Sequence, residues 1–176
     1  YGYGGYGYAY PYYAAAYSAP AVYQTIVYGE EYAQAQPVEQ QAVVNTQRDD
    51  RVARAATEYL ALGDAAFKEG RYADAVRYYA KAVEWAPDDP VLYLVLSDAL
   101  FATGDYHYAA YALRRALELN PQLAQLAIDK RKFYGVAADF DAQLALLEGY
   151  RQDHFLDDDA RLVLAANYLY GGMPEK

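Results

Sequence analysis

The chain has 176 residues, enough for one domain of ordinary size. Its formal net charge is −9 and every lysine and arginine follows position 47, so neither nucleic acid nor an anionic membrane surface is expected as a partner. The absence of cysteine excludes disulfides and thiol chemistry, and no apolar run of about 18 residues could span a membrane.

The first 20 residues consist almost entirely of Tyr, Gly, Ala and Pro. This composition is typical of a disordered tail, because few aliphatic groups are available to bury. Tyrosine rings, however, bury a large apolar area and lose few rotors, so the segment also suits a binding arm. The expected assembly arm comprises Tyr1, Tyr3, Tyr6, Tyr8, Tyr10, Tyr12, Tyr13, Tyr17, Tyr23, Ile26 and Tyr28.

Residues 21–44 are predicted to be extended or strand-like and then to form a linker. Residues 21–32 are rich in β-branched and aromatic types, which favour a strand. Residues 33–44 are rich in Gln and Ala, and we interpret them as a linker with one helical turn at most. The helical domain, 45–176, is expected to begin at Thr46, whose spacing from Asp49 fits a capping box, with Asn45 as the competing cap.

A repeated pattern follows, in which two amphipathic helices are separated by Gly70 and end before Pro87. The residues Leu62, Gly70, Tyr72, Ala75, Ala82 and Pro87 recur 34 positions later as Leu96, Gly104, Tyr106, Ala109, Ala116 and Pro121. Six matches in one register indicate a structural repeat, with units over 56–89 and 90–123. The glycines favour tight helix ends, and Asp89 with Pro90 predicts the start of the third helix.

The register continues in a degenerate unit over 124–157 and a partial unit over 158–176. Lys130, Arg131 and Lys132 stand where Leu–Gly is expected. We predict a helix over about 139–152, and a last helix that is capped by Asp158 or Asp159 and ends at 171–172. The last unit lacks a second helix, so its apolar face is expected to form an open end: Leu162, Leu164, Tyr168 and Leu169.

These units resemble the tetratricopeptide repeat over 56–123 and, more weakly, over 124–172. On that family's spacing, the signature positions of the first copy hold Tyr59, Leu62, Gly63, Ala75, Tyr79, Ala82 and Pro87. The second copy holds Tyr93, Leu96, Ala109, Leu113, Ala116 and Pro121, with Ser97 in place of the small glycine. The resemblance implies an all-α fold of stacked helix pairs, an α-solenoid.

The resemblance also implies an inner groove lined by the first helix of each pair. The corresponding protein-binding groove residues are Leu60, Asp64, Phe67, Lys68, Val91, Leu94, Asp98, Phe101 and Ile128. Leu60 and Leu94 stand where carboxylate-binding members carry Lys and Asn, so that specific activity is not expected. What remains is an apolar groove flanked by Asp64 and Asp98; the alternative is that several of these side chains belong to the core.

No enzymatic activity, cofactor or metal site is predicted. His107 and His154 belong to no motif that links them to a nucleophile or a metal partner. The run from Asp157 to Asp159 lacks the alternating ligand spacing and turn glycine of a calcium loop, and it is better interpreted as a helix cap.

Three functions remain open. The first is a structural protein that assembles with other copies of itself into a filament or surface fibre, through repeat stacking and docking of the arm on a neighbour. The second is an adaptor whose groove binds a peptide of a different protein, and the third is a non-catalytic part of a larger enzyme or secretion apparatus. The sequence does not determine the compartment; an extracellular or cell-surface location is favoured over the cytoplasm.

Overall fold

The computed structural model describes residues 38–126 and 128–173, with side chains described from residue 51 onward. Over these ranges the fold is all-α. The α-helices are α1 (Val38–Lys68), α2 (Tyr72–Trp85), α3 (Pro90–Ala102), α4 (Tyr106–Leu119), α5 (Ala137–Asp153) and α6 (Asp158–Tyr170). The chain divides into two compact units, residues 1–46 and 47–176, and the following description concerns the second. No helix in the described ranges has the length and apolarity to cross a membrane.

Helix α1 begins at Val38, eight residues before its predicted start. Asn45 and Thr46 therefore lie inside the helix, and the predicted cap is wrong. The Gln- and Ala-rich stretch was interpreted as a linker, yet both residue types have high helix propensity, which accounts for the longer helix. The predicted arm and strand-like segment, residues 1–32, lie outside the described residues.

The first two helix pairs follow the predicted 34-residue register. Gly70 and Gly104 have φ angles of 75° and 81°, and Gly172 repeats this conformation at 74°. Only glycine adopts this left-handed region without strain, so these positions end their helices as predicted. Helix α3 packs between α2 and α4. The small residues that allow this close approach are all fully buried: Ala75, Ala82, Ala109 and Ala116.

Aspartate side chains cap three of the helices. Asp89 accepts a hydrogen bond from the Val91 N–H at 2.9 Å, with Pro90 at the first helical position, as predicted. Asp105 caps α4, and Asp157 caps α6 by accepting from the Ala160 N–H at 3.0 Å. The cap of α6 thus lies one or two residues before the predicted position.

The third unit departs most from a regular repeat. Where a first helix is expected, two short 3-10 turns occupy Pro121–Gln125 and Lys130–Phe133. Helix α5 then extends slightly beyond its predicted bounds, and α6 packs against both α4 and α5. Because no regular helix forms at 121–133, α6 takes a place beside α4.

Candidate protein-binding surfaces

Most of the predicted groove residues are buried within the chain. Leu60 and Asp64 are half-buried, and Lys68 is exposed. The other six are buried: Phe67, Val91, Leu94, Asp98, Phe101 and Ile128. These six residues belong to the core of the folded chain, and a peptide-binding role for the nine predicted positions stays a prediction.

A segment of the chain itself covers this surface, and we call residues 128–135 the plug. The ring of Tyr134 lies 4.8 Å from that of Phe67 and 5.5 Å from that of Phe140, both in edge-to-face geometry. Its hydroxyl donates to Gln143 Oε1 at 2.8 Å. The plug thus supplies aromatic contacts to the end of α1 and to α5.

Gly135 fixes the plug at close range to the backbone of α1. A Cβ atom placed on Gly135 would lie 1.9 Å from the carbonyl oxygen of Lys68. No side chain fits at this distance. The backbone of the plug at Gly135 therefore packs directly against the backbone at the C-terminal end of α1.

A buried ion pair secures the middle of the plug. Lys130 Nζ donates to Asp98 Oδ1 on α3, and it lies 3.4 Å from Asn167 Oδ1 on α6. The same ammonium sits 5.0 Å from the centre of the Tyr170 ring. Burial raises the pKa of the Asp98 carboxyl, and the positive charge of Lys130 opposes that effect. The pair therefore joins α3, the plug and α6 at a site removed from water.

Arg131 attaches the plug to the end of α6 and to α5. Its Nη1 donates to the Gly171 carbonyl at 2.8 Å, and its Nε donates to Asp141 Oδ1 at 2.9 Å. Its guanidinium also lies 5.4 Å from the ring of Phe140. The basic run that interrupts the sequence repeat thus provides two anchors of the plug.

Asp64, predicted to flank the groove, serves the packing of the first helix pair. The Tyr79 hydroxyl donates to its Oδ1 at 2.8 Å, and burial raises the pKa of Asp64 to about 6. The neighbouring Gly63 has the Tyr79 ring directly above it, where an added Cβ would lie 2.3 Å away. In the second repeat Ser97 takes this place, and its hydroxyl donates to the Ala109 carbonyl at 2.8 Å.

The predicted open end is largely covered. Leu164 is buried, Leu162 and Tyr168 are half-buried, and Leu169 is 44% exposed. The Tyr168 hydroxyl donates to Glu148 Oε1 of α5 at 2.7 Å. Because α6 packs on both α4 and α5, part of its apolar face is used within the chain, and Leu169 is the most exposed of the four residues. Their role as an open end for assembly stays a prediction.

A charged cluster links the start of α4 to the start of α6. His107 Nδ1 lies 3.1 Å from Asp159 Oδ2, and its Nε2 lies 3.7 Å from Asp157 Oδ2. Arg114 donates to Asp159 at 2.5 Å. The bond to Asp159 and the charge of Asp157 raise the pKa of His107.

The same three groups bring potential metal-ligand atoms within 4.8 Å of one another. Each of them already has protein partners, and Asp157 acts as a helix cap, the role preferred from the sequence. The positive end of α6 lies beside them and disfavours a bound cation. We therefore assign this cluster to the packing of α6 on α4.

The outer surface carries the large apolar side chains that remain exposed. Over the described residues, those with more than a third of their surface in water are Leu62, Trp85, Tyr108, Tyr111, Val136, Leu146, Phe155, Leu156 and Leu169. None of these except Leu169 was predicted as a site residue. The helical periodicity of the sequence could have indicated which residues on the helices face solvent. Phe155 and Leu156 lie between two helices, so periodicity does not predict their exposure.

The fold over the described residues defines a protein built of helical repeats. Two models described as tetratricopeptide repeat match residues 27–90 and 66–127, and together they span more than half of the chain. The chain belongs to the tetratricopeptide repeat family. No curated protein matches it. Repeats of this kind indicate a role in protein–protein interaction, and proteins that contain them are generally non-enzymatic scaffolds.

Proposed function

We propose that this chain is a non-enzymatic adaptor that binds a different protein through its outer surface. The observation that supports the proposal is the plug, which contacts predicted groove residues from within the chain. With Phe67 and Asp98 already contacted by the plug, the exposed apolar side chains available to a partner lie elsewhere.

The proposal is tested by comparing substitutions on the two surfaces in affinity capture by the full chain. Trp85→Asp and Tyr111→Asp alter the outer surface, and Leu60→Asp alters the most accessible apolar position of the predicted groove. We expect a captured partner to be lost from at least one outer-surface variant and retained by Leu60→Asp. Phe101→Asp is unsuitable as a groove probe, because a charge at this buried position would unfold the chain.

Loss of the partner from Leu60→Asp alone would contradict the proposal and favour binding in the groove. Circular dichroism of each variant provides the control, since equal helix content separates a lost contact from a lost fold. A partner that binds all three variants as tightly as the unaltered chain would show that neither Trp85 nor Tyr111 contributes to its binding.

The second candidate is assembly with other copies of the chain into a filament or surface fibre. Its support is the composition of the first 32 residues, which contain eleven tyrosines and only two charged residues, Glu30 and Glu31. Each such ring buries roughly 150 Å² of surface. The burial of the rings on a neighbouring copy could therefore offset the conformational entropy that the arm loses when it docks. Leu169 would be the part of the last unit left for a stacking contact.

Sedimentation and negative-stain imaging of the full chain distinguish the two candidates. Assembly predicts fibres or large species that weaken on deletion of residues 1–20, with the helix content after residue 45 unchanged. A monodisperse monomer at high concentration would refute assembly and leave the adaptor.

A further inference from the structure

One face of helix α1 is exposed, although the same face is buried in α3 and α6. These three helices take the same place in the 34-residue register. The face consists in α3 of Val95, Leu96 and Ala99, and in α6 of Val163, Leu164 and Asn167. Leu96 is half-buried and the other five are buried. The corresponding residues of α1, which we call the α1 face, are Ala61, Leu62 and Ala65, and all three are exposed, Leu62 to 47%.

In the other two units, the second helix of an earlier pair covers this face. Leu92, one turn before the face in α3, lies in one cluster with Ala82 of α2. Asp159, one turn before the face in α6, bonds to Arg114 of α4. The chain therefore shows twice that the cover is a helix, and the covering helices share small residues seven positions apart, all fully buried: Ala75 and Ala82 in α2, Ala109 and Ala116 in α4.

The composition of the α1 face is that of a covered surface. A face of a helical-repeat stack that stays in water is normally polar, because solubility requires it. The α1 face has no polar side chain. Glu58 marks its edge, one turn earlier, at the position that Leu92 takes in α3. A further helix on the α1 face would thus continue the packing of α2 on α3 by one more step.

A second copy of the chain has no free helix of the covering kind in the part that the structure describes. The small residues of α2 and α4 are already fully buried. In α5 the two corresponding positions hold Gln143 and Tyr150, whose side chains are too large for the same close approach. The helix that fits the α1 face therefore belongs to a different protein.

We propose that an amphipathic helix of a different protein packs on the α1 face as α2 packs on α3. This helix carries alanine or another small residue at two positions seven apart on its apolar side. The proposal rests on the proposed adaptor function and assigns it one contact site. Because the contact is apolar, its affinity changes little with salt concentration.

The test uses the full chain as an immobilised target for two libraries of a soluble helical-bundle scaffold with one randomised surface helix. The first library fixes alanine at two positions seven residues apart, and the second fixes lysine at the same positions. We expect binders from the first library only. Their affinities are measured by biolayer interferometry at low and high salt.

Three variants of the chain then test where these binders make contact. Leu62→Asp places a charge in the α1 face and should weaken binding about tenfold or more. Glu58→Leu extends the face with the residue that α3 has there, and it should strengthen binding about threefold or more. The control is Leu146→Asp, because Leu146 is 68% exposed on α5, and this variant should bind as the unaltered chain does. Circular dichroism should show equal helix content, since all three positions are exposed.

Each other outcome overturns the proposal in a recognisable way. Binders that are insensitive to Leu62→Asp would exclude the α1 face but leave the adaptor function standing. Equal yields from the two libraries would show that small residues do not define the occupant, and no binder from the first library would refute the α1 face as a helix site. The adaptor function is then still tested by Trp85→Asp and Tyr111→Asp. Self-association in sedimentation that Leu62→Asp abolishes would identify a second copy as the occupant.

Discussion

Replacing Lys130 with methionine tests whether the plug is an integral part of the fold. The substitution keeps the length of the side chain but leaves the Asp98 carboxylate buried without a counter-ion. Breaking a buried pair in this way costs about 3–5 kcal/mol at pH 7. Because single domains are stable by about 5–15 kcal/mol, this is a large share of the total. For a chain of this size it corresponds to a melting temperature lowered by about 6–20 °C.

The dependence of this loss on pH separates an electrostatic cause from a packing cause. Burial already raises the pKa of Asp98 with Lys130 present, and removal of the opposing ammonium raises that pKa further. A carboxyl with a raised pKa is penalised when it ionises, so the variant regains stability as pH falls through that pKa. The difference in unfolding free energy between variant and unaltered chain should therefore shrink from pH 7 to pH 5.

Urea denaturation followed by circular dichroism at both pH values measures the effect. The matched control is Lys132→Met, two residues along the same segment, whose side chain is mostly exposed and forms a long ion pair. It should cost less than about 1 kcal/mol. The double variant Asp98→Leu, Lys130→Met should recover most of the stability, because it removes both buried charges. Equal losses from Lys130→Met and Lys132→Met, or a loss from Lys130→Met that is independent of pH, would refute the reasoning.

Three further substitutions test the packing. Gly135→Ala should destabilise the chain by about 3 kcal/mol in urea denaturation, because its Cβ would overlap the Lys68 carbonyl; full stability would show that the plug is held loosely. Gly149→Ala has open space and lies within α5, so it should stabilise the chain by about 0.5–1 kcal/mol, and a loss would contradict the described surface. His107→Gln should destabilise more at pH 6 than at pH 8.5, since the raised pKa of His107 gives stability that is lost as pH rises; equal effects would exclude the ion pair.

The repeat itself could be predicted from the sequence because its signals are local. A glycine at a left-handed position and an aspartate–proline helix start act through their own backbone, whatever surrounds them. Gly70 and Gly172 therefore appear in the structure as expected, and so does the cap at Asp89. The Gln- and Ala-rich stretch before residue 45 was misread because composition alone did not separate linker from helix.

The burial of the predicted groove and open-end residues could not be derived from the sequence, because it depends on what covers a surface. Repeat spacing indicates which side of α3 faces inward, but it does not indicate that residues 128–135 fold onto that side. Lys130 illustrates the difficulty, because a lysine outside a regular helix is expected to be exposed to solvent. Only the structure shows that its partner Asp98, 32 residues earlier in the chain, lies beside it. The packing of α6 on α4 is equally non-local.

The degenerate third unit accounts for the burial at both places. A regular first helix at 121–133 would pack on α4 and extend the groove beyond α3. In its absence, α6 covers α4 and the plug covers the inner side of α3, so one irregular segment converts both surfaces into core. Substitutions at Val91 or Leu94 therefore measure folding, not partner binding. Binding has to be sought at side chains that the fold leaves in water, such as Trp85 and Tyr111.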